Sequence, residues 1–164
     1  MGQIALCLWF DGRAEEAANF YVSAFRACGR DAALGDILRF GDSGPGPKGS
    51  VLSVTFRLAD QDIVALNGGP RFAFSPAVSL FVKCDDQAQV DGFWERLSDG
   101  GQPGQCGWLT DRFGVSWQIV PLALGDMLQD PDPARAGRVM QALLRMTKLD
   151  IAALEKARRG DTAA

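Results

Sequence analysis

The sequence predicts an α+β protein: two copies of a strand–helix–strand-hairpin module, followed by a helical tail. Three observations carry that prediction. Apolar runs of strand length alternate with stripes at helical spacing. The pattern restarts about 70 residues on, with Asp11…Phe20-Tyr21 answered by Asp85…Phe93-Trp94, a spacing that signals a duplicated module rather than a solenoid. After Pro121 the strands give way to two amphipathic stripes. Module one is placed at 3–70, module two at 77–121 and the tail at 122–164, all within one domain of 164 residues.

Ile4 to Phe10 is the first strand. Both of its faces are apolar, so both are expected to be covered. Asp11 is the expected helix cap, and Glu15 and Glu16 fall in the first turn, where the helix dipole favours them. Ala14, Ala17, Ala18, Tyr21, Ala24 and Phe25 form the buried stripe, and Gly29 follows the last turn. Asp36 to Phe40 is a short strand, and the Gly/Pro-dense 41–49 is a surface loop. Val51 to Leu58 and Ile63 to Leu66 form a hairpin around Asp60-Gln61-Asp62, broken by Asn67-Gly68-Gly69-Pro70.

Val78 to Cys84 opens the second copy. Asp86 with Gln89 reads as a capping box, and Val90, Phe93, Trp94 and Leu97 as a helix stripe ended by Gly100-Gly101. Cys106-Gly107-Trp108-Leu109 leads to a turn in which Asp111 and Gly114 supply the chemistry, and then to the strand Val115 to Val120. Gln118 is the polar interruption in that strand and needs a partner if buried. In the tail, Asp132-Pro133 starts one helix and Asp150 caps another that Gly160 stops; the last residues, 161–164, are expected to fray.

Composition narrows the function classes. A net charge of −3 without a basic block argues against nucleic acid. No apolar run reaches the roughly 18 residues needed to span a bilayer, and no leader pattern precedes the first strand, so a cytoplasmic protein with no membrane partner is expected. The four cysteines are scattered and read as reduced packing residues, Cys106 being the most exposed to chemistry. With no histidine, neither a Ser-His-Asp nor a Cys-His arrangement can exist. Trp9, Trp94, Trp108 and Trp117 read as core.

The chain closely resembles the PhnB-like, 3-demethylubiquinone methyltransferase-like group of the vicinal oxygen chelate superfamily, which includes glyoxalase, bleomycin-resistance and extradiol dioxygenase proteins. The resemblance rests on Leu8-Trp9-Phe10-Asp11-Gly12 with Ala14-Glu15-Glu16-Ala17 and Phe20-Tyr21, and on Ala65-Leu66-Asn67-Gly68-Gly69-Pro70. It continues through Cys106-Gly107-Trp108-Leu109 with Asp111 to Ile119, and Asp130-Pro131-Asp132 through Asp150-Ile151. It implies two βαβββ modules in a half-open barrel around a cleft, in a homodimer. It also implies that metal ligands, where relatives use them, come from the first and last strand of each module, near Leu6, Asn67, Ser79 and Gln118 here. Leucine cannot bind a metal and serine binds poorly, so neither metal nor cofactor is expected.

The cleft candidates are Gln118, Ser79, Asn67, Lys83, Ser116 and Phe81. Strand alternation points Ser79, Phe81 and Lys83 one way, and likewise Ser116 with Gln118. The leading reading is a metal-free protein that binds a small apolar or aromatic molecule in this cleft, with no reaction assigned. The alternative is a structural or regulatory homodimer with a filled cleft. Methyl transfer ranks last, because the first strand runs into Asp11-Gly12-Arg13-Ala14-Glu15 without a G-x-G turn. The dimer expectation rests on strand edges that need covering and on Met140, Leu143, Leu144, Ile151 and Leu154 in the tail.

Overall fold

The computed structural model describes residues 3–161. The chain divides into two compact units, Met1–Phe74 and Ser75–Ala164. Unit one holds β1 (Leu6–Phe10), α1 (Ala14–Ala27), β2 (Ala32–Arg39), β3 (Val51–Leu58) and β4 (Gln61–Asn67). Its sheet runs β1-β4-β3-β2, with β1 parallel to β4 and the other pairs antiparallel. The whole predicted stripe of α1 is buried. It packs over Leu8, Phe10, Val54, Phe56, Ile63 and Ala65, which alternate along their strands as one covered face demands.

Three expectations change here. The first strand begins at Leu6, and its Cys7 is exposed, so one face is covered by the helix rather than both. β2 begins at Ala32, four residues before the expected strand. A register shift between Leu34 and Ile37 disguises it, and Thr55 Oγ1 accepts the Asp36 N–H there at 2.8 Å. Finally, Asp11 does not cap α1. Arg13 is the N-cap and makes no capping bond, while the first helical N–H, on Ala14, donates to Asn67 Oδ1 at 2.9 Å. A side chain 53 residues away thus satisfies a donor that the local sequence leaves open.

Unit two holds β5 (Leu80–Cys84), α2 (Gln87–Ser98), β6 (Gln102–Pro103), β7 (Trp108–Thr110) and β8 (Ser116–Pro121), in the order β5-β8-β7-β6. Asp86 caps α2 as the motif predicts, accepting from Gln89 N, but the returning Gln89 Oε1 accepts from Asp85 N rather than Asp86 N. Val90, Phe93 and Leu97 are buried, as are Val82, Cys84, Leu109, Trp117 and Ile119 on the strands. Trp117 is the one fully buried tryptophan; Trp9, Trp94 and Trp108 are half-buried, so three of the four are not the core residues their size suggests.

The tail belongs to unit two. α3 (Ala123–Leu128) was not legible in the sequence; α4 (Pro133–Leu143) and α5 (Ile151–Arg159) start at their Asp132 and Asp150 caps. Leu124, Met127, Val139, Leu143, Leu149 and Leu154 make a cluster of their own. This settles where much of the tail's apolar surface goes: Leu143 and Leu154 are covered by the same chain, whereas Met140 and Leu144 remain exposed. Gln87 ties α2 to the tail, donating to Leu149 O and accepting from Ile151 N, and Lys148 pairs with Asp91 at 2.6 Å. The segment before β7 is strapped to the tail by Cys106 N to Met146 O and Gly107 N to Thr147 O. A Cβ on Gly107 would stand 2.8 Å from Ile119 O, so the close approach requires glycine. Arg158 bonds Asp130, whose carboxyl is held below its ordinary range by the Asp132 N–H and then by Arg158. Apart from Asp161, the expected fraying falls on 162–164, outside the described residues. No described helix is long and apolar enough to cross a membrane.

Candidate functional site

Unit one carries a groove of about 860 Å³ where the ends of β1, β2, β3 and β4 meet the Gly/Pro loop. Its walls are built by close backbone approaches. Asn67 closes β4 and bonds at both ends of its amide: Oδ1 accepts from Ala14 N and Nδ2 donates to Val51 O at 3.0 Å. Gly68 then passes beneath the Trp9 indole, where an added Cβ would lie 2.0 Å from the ring. Trp9 Nε1 donates to Gly69 O at 2.9 Å, and Phe72 meets the indole edge-on with centroids 5.1 Å apart. On the other side Phe40 pairs with Ser50 and Gly49 through the backbone, and Gly44 and Gly46 press against its ring. Trp9, Leu38, Phe40, Leu52 and Leu66 give the groove an apolar lining, and Glu15 and Arg39 bring opposite charges to it.

Of the six sequence candidates, Asn67 alone lines this groove. The other five lie in unit two. Gln118 Nε2 donates to Ser79 Oγ at 2.9 Å, and both residues are half-buried. Phe81 stands opposite Gln118 in the β5–β8 register and is 52% exposed; Lys83 is also exposed, alternating with buried Val82 and Cys84. Ser116 is buried. Trp9, Glu15, Arg39 and Phe40 were not among the candidates. Their signal in the sequence was indirect: an aromatic beside a Gly/Pro loop, and a tryptophan on the strand paired with Asn67-Gly68.

The opening turn of the β8 hairpin has a buried carboxylate at its centre. Asp111 Oδ1 accepts from Phe113 N and Val115 N at 2.8 and 3.0 Å, and Oδ2 accepts from Trp117 Nε1 at 2.8 Å. The sequence marked Asp111 as a turn residue but not as the anchor of the core tryptophan.

The donors at the superfamily's metal positions do not fit a divalent cation. Leu6 pairs with Ile63 as Leu80 pairs with Trp117, so the counterparts of Ser79 and Gln118 in module one are Ala5 and Val64. One hydroxyl and one amide, already bonded to each other, remain. Among the described residues no group of three or more Cys, Asp or Glu is placed to hold a metal. S-adenosylmethionine, which a methyltransferase uses, finds no glycine-rich strand-to-helix turn among the described residues: β1 enters α1 through Asp11-Gly12-Arg13, and no helix follows Gly68-Gly69 until α2. The half-buried Cys106 donates its S–H to Leu143 O at 3.5 Å.

Comparison with known proteins agrees with this architecture. The family described as 3-demethylubiquinone-9 3-methyltransferase matches residues 2–120. No curated protein matches the chain. Among solved structures, the PhnB protein from Bacillus cereus is 33% identical, with a TM-score of 0.65, over 73% of this chain and 99% of its own. A protein from Pseudomonas aeruginosa is 23% identical, with a TM-score of 0.59, over 74% of this chain and 98% of its own. The genomically encoded fosfomycin resistance protein from Listeria monocytogenes shares the fold at 14% identity, with a TM-score of 0.50, over 74% and 93%. Two four-stranded βαβββ-like modules with added C-terminal helices, and a match across both modules, place this chain in the PhnB-like, 3-demethylubiquinone-9 3-methyltransferase family of the glyoxalase (vicinal oxygen chelate) fold.

Proposed function

We propose that the chain binds a small apolar or aromatic molecule, without a metal, and that the groove of module one holds it. The observation that carries this reading is the groove itself: about 860 Å³, lined chiefly by aromatic, aliphatic and glycine residues, with few polar groups. That is the usual character of a small-molecule site. In module two, the exposed Phe81 beside the Gln118–Ser79 pair offers a second apolar surface with a polar edge. Methyl transfer, the activity in the family's description, is left out of the proposal, because among the described residues no glycine-rich turn leads a strand into a helix.

A thermal-shift screen of quinones, antibiotics and small anions tests the reading. A ligand at 100 times its Kd adds about 2.7 kcal/mol to stability, which raises the Tm of a chain this size by about 5–11 °C. The screen supports the proposal if a flat aromatic compound gives such a shift and a groove-filling Leu66→Trp variant loses it. Shifts from small anions alone, or shifts that survive the filling, overturn it.

A homodimer is proposed alongside. β2 is an edge strand, and its Leu34, Ile37 and Leu38 are 39%, 39% and 57% exposed. An apolar edge of this kind favours pairing with a second copy. Sedimentation velocity at micromolar concentration is expected to give a dimer; a monomer there rejects it.

A further inference from the structure

The geometry points to a neutral, planar aromatic ligand whose head group carries an adjacent hydrogen-bond donor and acceptor, as a carboxamide does, bound in the module-one groove. This rests on the ligand-binding reading above and names the ligand class for that same groove.

Most of the polar side chains that line the groove are already engaged within the protein. Asn67 has committed its oxygen to Ala14 N and one amide N–H to Val51 O. Ser50 donates its hydroxyl to Pro47 O at 2.6 Å, and Trp9 its indole N–H to Gly69 O. Glu15, in the first turn of α1, and Arg39, at the end of β2, are left. Their charged groups stand 3.6 Å apart, with side chains 40% and 49% exposed. A direct charge-assisted bond would measure about 2.7–2.9 Å, so the two are near but not closed on each other. Arg39 gives one N–H to Gly49 O at 3.2 Å. A guanidinium has about five N–H donors and a carboxylate two acceptor oxygens, so both keep capacity for a ligand.

The signs then decide the ligand. A carboxylate gains from Arg39 and loses to Glu15; an ammonium does the reverse; at comparable distances the two terms nearly cancel. A neutral amide uses both residues, its C=O accepting from Arg39 and its N–H donating to Glu15. Trp9, Phe40 and Leu66 supply flat and apolar walls for an attached ring.

Ligand-observed NMR titration of the full chain with four probes on one ring tests this: 2-naphthamide, N,N-dimethyl-2-naphthamide, 2-naphthoate and 2-naphthylmethylammonium. The primary amide is expected to bind about tenfold more tightly than each of the others, the worth of one hydrogen bond to a charged group. Glu15→Gln is expected to raise naphthoate to the affinity of the amide or above, and Arg39→Gln to do the same for the ammonium. Equal binding of all four probes, or an unchanged ranking in both variants, overturns the inference and leaves aromatic binding standing. No binding by any probe overturns the groove reading, and this inference with it.

Discussion

Replacing Asp111 should unfold the second module more readily than any other single polar change in it. The carboxylate is 3% exposed and accepts three hydrogen bonds, from Phe113 N, Val115 N and Trp117 Nε1. Two of those donors sit on buried residues, Val115 and Trp117, and Asp111→Ala leaves both without this acceptor. At about 1.5–3 kcal/mol per bond to a charged group, the loss is about 3–6 kcal/mol, a large share of the roughly 5–15 kcal/mol that holds a domain together. Asp111→Asn is the sharper variant. Its remaining oxygen can serve the two backbone donors, but its NH₂ then faces the indole N–H, at a cost of about 1.5–3 kcal/mol. Urea denaturation followed by tryptophan emission measures both. In an Asp111→Asn/Trp117→Phe double variant the donor–donor conflict is gone, so the two costs should fall short of additive. An Asp111→Ala variant within about 1 kcal/mol of the parent, or strictly additive costs, would rule out this role for the carboxylate.

Gly68→Ala should displace the Trp9 indole, because its Cβ would fall 2.0 Å from the ring; a loss of about 1–3 kcal/mol and a shifted Trp9 emission are expected, and unchanged thermal unfolding would argue against the packing described. Gln118→Leu removes one bond to a half-buried Ser79 whose hydroxyl can turn to water, so a cost of about 1 kcal/mol or less is expected in chemical denaturation; a larger loss would make Gln118 a core amide. The Asp91 carboxyl is held below its ordinary 3.8 by hydrogen bonds from Lys148 first and Gln87 second. Its folded value therefore lies below the unfolded one, so its contribution is present above that unfolded value and is lost as pH falls through the folded value. The stability gap between parent and Asp91→Asn should be widest near neutrality and close in acid; urea midpoints that show a gap independent of pH would contradict the latch between α2 and the tail.

What the sequence disclosed and what it hid differ in physical kind. The stripe of α1, the Asp86, Asp132 and Asp150 caps and the repeat itself are local or periodic, and each is found where the pattern puts it. β6 and α3 escaped because a two-residue strand and a six-residue helix leave almost no periodic signal. The Asp11 cap failed because Asn67, distant in sequence, reaches the helix end first. The groove escaped for the same reason: Trp9 and Glu15 come from the start of the chain, the adjacent Arg39 and Phe40 from the end of β2 and the residue after it, and the two stretches share a surface only after the sheet forms. Ser79 and Gln118 did meet, as one hydrogen-bonded pair, although nothing in their spacing announced the bond.

An aromatic molecule held in the groove lies beside Trp9. The chain has four tryptophans and so four indole N–H signals, and a ¹H–¹⁵N correlation spectrum titrated with 2-naphthamide separates them, with Trp9→Phe assigning the one that matters. A saturable shift of the Trp9 signal is expected, while Trp117, buried and bonded to Asp111, stays in place. A titration that moves no indole signal, or that moves Trp108 or Trp117 and leaves Trp9 still, would contradict it.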